Sequence, residues 1–210
     1  MISVSEKVEK TIREFICEFI EKPYLCYTEH GQHARFYQML YEALDPSQRY
    51  LTCMGQKVCA IQKEYPTAGN LDKPRRQHWD IAIIKSSAES VPEKKHSYDY
   101  LMLEAIVEFG MNVAKDHLDD DIKRVCHADA NTDHRYIIHL YRLSKAGNQF
   151  SMRDWSPSSK QILTVAQVKA MIPEGKSVSI FYGMYNDIDK SQNGVWLIKD
   201  GVEPKKVIGK

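Results

Sequence analysis

Three short, otherwise apolar runs carry acidic residues within them or at their ends: the segment closing on Glu64-Tyr-Pro-Thr, the run Trp79-Asp-Ile-Ala-Ile-Ile, and Leu101-Met-Leu-Glu-Ala-Ile-Val-Glu108-Phe-Gly. An ionised carboxylate in apolar surroundings is costly unless it is paired, protonated or bound to a cation. Whatever this chain folds into must provide one of those three outcomes, and a metal site is the sharpest of them.

The flanking sequence alternates helical and strand periods. Val4, Val8, Ile12, Phe15 and Phe19 recur at helical spacing, and Ser3 with Glu6 forms a capping-box pattern, so a helix is predicted over Ser3 to Ile20. A second helix is predicted over His33 to Leu44, closed by Asp45-Pro46. Strands follow at Lys57 to Glu64, Trp79 to Ile84 and Leu101 to Phe109. The last is apolar at nearly every position except Glu104 and Glu108, the pattern of a central strand covered on both faces. Val113 to Cys126 reads as a surface helix with Asp119-Asp120-Asp121 mostly outward. Arg135 to Leu143 is a further strand, Ser158 to Met171 a helix, and Ser177 to Tyr185 with Val195 to Lys199 a late strand pair. The expectation is an α/β (α+β) chain: one domain over 1–210, with a central mixed β-sheet flanked by helices. Its C-terminal part, 157–200, supplies a helix and the strand pair.

Composition excludes several classes. With 210 residues, 43% hydrophobic and 27% charged, the chain is neither disordered nor fibrous. It has no uncharged apolar run of about 18 residues and no apolar signal-peptide core, which leads to the expectation of a cytoplasmic protein with no membrane partner. The five cysteines, Cys17, Cys26, Cys53, Cys59 and Cys126, include no Cys-x-x-Cys pair, as expected for reduced thiols. The net charge of +1 announces no partner. Local charge is less even: Lys73-Pro-Arg75-Arg76-Gln-His78 is a compact basic loop leading into Asp80, and Glu93-Lys94-Lys95-His96 follows the same strand. Lys73, Arg75, Arg76 and His78 are candidate phosphate contacts, against the plainer reading of a solvated turn.

Strand parity tests whether the acids could meet, and permits it. Side chains alternate faces, so Gln62 shares a face with Glu64, and Glu104 shares one with Glu108 and Gly110. Glu104 and Glu108 lie about 13 Å apart along a strand, so only one of them can sit beside Asp80. Glu108, at the strand end before a glycine, is favoured; Glu104 is read as the partner of an Arg, Tyr or His.

This order of elements, with an Asp-bearing strand, a Glu-bearing strand, a helix and a strand, resembles the PD-(D/E)xK, restriction-endonuclease-like superfamily over about residues 30–145. The resemblance implies that Asp80 and Glu108 hold Mg²⁺ (or Mn²⁺), that Glu64 is an auxiliary acid, and that the chain hydrolyses phosphodiester bonds in DNA. Where the family carries a lysine two residues after the Glu, this chain reads Glu108-Phe109-Gly110. Lys115, in the following helix, is the first candidate to replace it; Lys85 and Lys63 have the wrong parity. A catalytically inactive member of the fold, binding nucleic acid or a protein partner, is the alternative, and the sequence leaves a homodimer open.

Hard oxygen donors suit Mg²⁺ or Mn²⁺, which polarise a phosphate and lower the pKa of bound water. A second set, Cys26-x-x-x-His30-x-x-His33, holds Zn²⁺ only with a further ligand; a core thiol and helix-start histidines are its plainer reading. No Gly-rich phosphate loop, Gly-x-Ser-x-Gly elbow or His-Glu-x-x-His pair occurs.

Overall fold

The computed structural model describes residues 2–87, 100–143 and 162–208. The Glu93-Lys94-Lys95-His96 cluster and the first residues of the helix expected from Ser158 lie outside the described residues.

Helix α1 spans Val4–Glu21, and its capping box is formed as the sequence predicts: the Ser3 hydroxyl accepts from the Glu6 N–H and the Glu6 carboxylate accepts from the Ser3 N–H. Helix α2 spans Glu29–Ala43 behind an N-cap Thr28, four residues earlier than the sequence suggests, because the Thr28 hydroxyl rather than His33 begins it. A single turn, α3 (Pro46–Arg49), leads into a two-residue hairpin of β1 (Tyr50–Cys53) and β2 (Gln56–Cys59). Its loop is Met54-Gly55, both at positive φ, a conformation in which glycine carries no Cβ penalty.

The main sheet has seven strands in the order β3 (Ile61–Pro66), β4 (His78–Ile84), β5 (Leu103–Met111), β6 (Thr132–Leu143), β7 (Ser179–Asn186), β8 (Gly194–Lys199) and β9 (Lys205–Ile208). Pairing is antiparallel from β3 to β5, parallel from β5 through β6 to β7, and antiparallel onward to β9. Helix α4 (Lys115–Val125) connects β5 to β6, and α5 (Val165–Met171) precedes β7. The mixed sheet with helices is the architecture the sequence predicts.

One expected strand is divided. Lys57 to Glu64 breaks at Ala60, whose N–H donates to the Arg49 carbonyl while its own carbonyl accepts from Ile84. The chain steps there from the hairpin into the main sheet, so the two halves belong to different sheets.

Two apolar layers cover the sheet. On one face, α1 and α2 bring Ile12, Phe15, Ile16, Phe36 and Leu40 against Ile81, Val107, Phe109 and Phe181. On the other, Leu118, Ile122 and Val125 of α4, with Val168 of α5 and Leu51 of the hairpin, pack on Ile106, Ile137, Tyr141 and Ile180. Strand β5 is buried along almost its whole length, as its near-continuous apolar sequence requires. Among the described residues, no helix is long and apolar enough to cross a membrane.

Candidate metal centre

The site is built on an interruption of the β3–β4 ladder. Lys63 pairs with Ile81 and Tyr65 with Trp79, but Glu64 and Asp80 between them are not paired, and Glu64 sits at φ +53°. Alternation therefore inverts. Ile81 and Ile83 face α1 and α2, whereas Trp79 joins the layer under α4. A missing ladder pair with one residue in the left-handed region lets the chain turn a side chain away from the regular face. Asp80 accepts the Phe109 N–H at 2.8 Å and stands close enough to Glu108 on β5 to push the Glu108 carboxyl up. Asp80 and Glu108 are neighbours across β4 and β5, Ile81 pairing with Val107 beside them.

Glu108 is buried, and α4 supplies its counter-charge. Arg124 Nη2 lies 2.5 Å from Glu108 Oε2 and 2.8 Å from Asp121 Oδ1, and its guanidinium stands 6.0 Å from the centre of the Trp79 ring. Asp121 is only 3% exposed, the one inward member of an Asp119-Asp120-Asp121 run that is otherwise outward, as expected. It lies three residues after Leu118 and three before Arg124, on the stripe of α4 that faces the sheet. At the rim, His117 Nε2 approaches Asp121 Oδ2 at 3.3 Å. Neither Asp121 nor Arg124 is singled out by the sequence; the signal that marks them is an acid and an arginine at i, i+3 in phase with the apolar stripe.

Burial sets the protonation of this group. Desolvation and the neighbouring Asp80 push the Glu108 carboxyl well above its usual range, against the opposing pull of Arg124. Burial raises Asp121 to about 7 and raises Asp80 as well, although the Phe109 N–H works against the latter. Glu108 Oε1 is buried without a hydrogen-bond partner, as is Arg124 Nε, while the buried Asp121 Oδ2 has the His117 ring nitrogen 3.3 Å away.

No protein-family model, curated protein or solved structure matches this chain. Its chemistry therefore rests on the geometry alone. Orphaned carboxylate oxygens are acceptors, and a hard divalent cation satisfies them where a protein donor does not. Asp80, Glu108 and Asp121 are hard oxygen donors, but Arg124 already holds Glu108 and Asp121, and the set among the described residues whose ligand atoms all lie within 4.8 Å of one another is His30, His33 and Glu64.

Position 110, where the resemblance would put a lysine, is closed to a side chain. A Cβ on Gly110 would stand 2.7 Å from Val113 Cγ2 and 3.3 Å from His139 Nδ1 on β6. Gly110→Ala is therefore expected to cost about 1–3 kcal/mol in urea unfolding, with much of it restored by Val113→Ala in the same chain; full stability in the single variant would show that the loop gives way instead. Lys115 is exposed at the start of α4. Lys85 is paired with Asp133 at 2.7 Å, and Lys63 is exposed on β3. The nearest titratable side chains to Gly110 are His139, buried and held neutral by desolvation with its pKa lowered to about 3, and His117, which is half exposed.

Glu64 does not join Asp80 and Glu108 through any hydrogen bond among the described residues. It stands with His30 and His33 of α2, one ligand atom from each lying within 4.8 Å of the others. Glu104 approaches His134 on β6 at 4.0 Å, so its partner is a histidine, but both are partly exposed. The loop before β4 is tied down more than its sequence suggests. Lys73 pairs with Asp120 at 3.0 Å and Asp72 with His127 at 3.1 Å, both on or just after α4. Arg76 donates to the Thr67 carbonyl and lies over the Tyr100 ring at 4.2 Å. Arg75 and His78 are exposed. Where this loop meets a phosphate backbone, Arg75→Ala lowers affinity for DNA of any sequence and reduces the slope of log affinity against log salt by about 1; an unchanged slope makes the loop a solvated turn.

Proposed function

We propose that this chain is a divergent metal-dependent nuclease, with Asp80 and Glu108 holding Mg²⁺ or Mn²⁺ and Asp121 completing the acidic set. The observation that carries the reading is the buried Glu108 Oε1 without a hydrogen-bond partner, set between the Asp80 and Asp121 carboxylates. The antiparallel, antiparallel, parallel pairing of β3 to β6, with α4 between β5 and β6, supports the resemblance to the PD-(D/E)xK core. A bound divalent cation supplies Lewis-acid polarisation of a phosphate and a more acidic water.

The chain's own residues divide the remaining work. The Phe109 N–H fixes the Asp80 carboxylate, and Arg124 fixes Glu108 and Asp121 together, so the acids are oriented before a ligand arrives. His117 stands at the rim beside the position that the family gives to lysine, and is the group placed to take a proton from an attacking water. The exposed Arg75 and His78 sit on the approach to Asp80, where a nucleic-acid backbone would pass.

A catalytically silent binding module on the same scaffold is the second reading. The closed position at Gly110 and the occupation of Glu108 by Arg124 favour it. Purified protein incubated with single- and double-stranded DNA and RNA separates the two. Cleavage that requires Mg²⁺ or Mn²⁺ and stops with EDTA is expected. An absence of cleavage with either metal, together with no metal-dependent rise in thermal stability, would overturn the nuclease reading.

A further inference from the structure

We infer that His30, His33 and Glu64 form a transition-metal site of their own, of the Zn²⁺, Mn²⁺ or Co²⁺ class, next to the oxygen-donor group at Asp80 and Glu108. The three residues come from two elements. His30 and His33 are three apart on α2, which puts both rings on one face of the helix, 5.6 Å between centroids. Glu64 is the unpaired residue of β3, turned out of the ladder at positive φ. Their ligand atoms lie within 4.8 Å of one another. Donors about 2.0–2.1 Å from a tetrahedral cation stand about 3.4 Å apart, so closing the set needs an adjustment on the order of an ångström. His30 and Glu64 are exposed and have the rotamer freedom to make it.

An independent observation points to a ligand. His33 is 2% exposed, packed against Phe109 at 4.6 Å between ring centres, and both of its ring nitrogens lack a hydrogen-bond partner. A buried imidazole normally finds an acceptor for one nitrogen and a donor or a metal for the other. Burial also holds it neutral, which is the ligating form. Of the charged groups that face it, Glu29 and Glu64 favour a cation and Lys63 opposes one, while Asp80 Oδ2 lies 4.0 Å from its Nε2. Two imidazoles and one carboxylate with a solvent-open side are a borderline-soft, three-ligand set that leaves coordination positions for water or substrate. Cys26, which the sequence groups with the two histidines, is not part of it; Glu64 takes that place through the fold.

The test uses tag-free, EDTA-stripped full-length protein titrated with Co²⁺, followed by displacement with Zn²⁺. The expected result is saturable binding with visible d–d absorption that Zn²⁺ removes. His30→Ala and Glu64→Gln, both at exposed side chains, should each weaken this binding by about tenfold or more, while Glu104→Gln, whose partner is His134, leaves it unchanged. Either an absence of saturable binding in the wild type or an equal loss in Glu104→Gln overturns the inference. The readout is binding rather than cleavage, so it stands or falls separately from the nuclease reading.

Discussion

Asp80→Asn and Glu108→Gln are expected to remove Mg²⁺- or Mn²⁺-dependent cleavage while leaving the chain folded. Each change keeps the size of the side chain and removes a charge from the oxygen-donor set. Losing one pre-organised electrostatic partner of a reaction typically costs on the order of 10²–10³ in rate, and losing a ligand as well should exceed that. His117→Ala is expected to retain metal binding and lose on the order of 10²-fold in rate, because it removes a proton acceptor and not a ligand. Cleavage at the wild-type rate by either carboxylate variant would place the chemistry elsewhere. Stability separates loss of function from loss of fold. Burial and Asp80 push the Glu108 carboxyl up, so the neutral Gln should cost less stability than loss of an unshifted buried carboxylate, and the metal-induced rise in Tm should vanish with it.

Arg124→Ala is expected to be the most destabilising single change at this site. Arg124 bridges Glu108 and Asp121, both at least nine-tenths buried, and removing one partner of a buried ion pair typically costs about 3–5 kcal/mol. The cost should depend on pH with a definite sign. Glu108 and Asp121 have folded-state pKa values above their ordinary ones, the latter at about 7, so the folded chain binds more protons than the unfolded one. Their contribution to stability is greatest at low pH and is lost as pH rises through those folded values. Without Arg124 both values rise further and the loss steepens. His33 and His139, lowered to about 4 and about 3, act with the opposite sign below their ordinary value. They are present in both proteins and cancel in the difference. Urea unfolding at pH 5 and pH 8 should therefore show a larger gap between wild type and Arg124→Ala at pH 8. A gap independent of pH would mean that the arginine acts through packing over Trp79 and not through charge.

Much of the fold was legible because its signals are local. The capping box at Ser3 and Glu6, the apolar stripe of α1 and the unbroken apolar run of β5 each specify an element within a few residues, and each element is present. Strand period allowed only one of Glu104 and Glu108 to stand beside Asp80, and the pairing of Ile81 with Val107 makes it Glu108. Parity reasoning failed where its premise of regular alternation failed, at the unpaired step of Glu64 and Asp80. That step aims Glu64 at α2, and no alternation pattern contains it.

By itself the sequence determined that carboxylates would sit in an apolar sheet and require a partner, since the cost of a buried charge is a property of residue type and surroundings. Only the tertiary structure decided which partner. Arg124 and Asp121 lie on a helix sixteen and thirteen residues beyond Glu108, and His33 lies on a helix that precedes the whole sheet. Their meeting depends on how α2 and α4 cover opposite faces of β5, a matter of long-range packing that residue spacing along the chain does not encode.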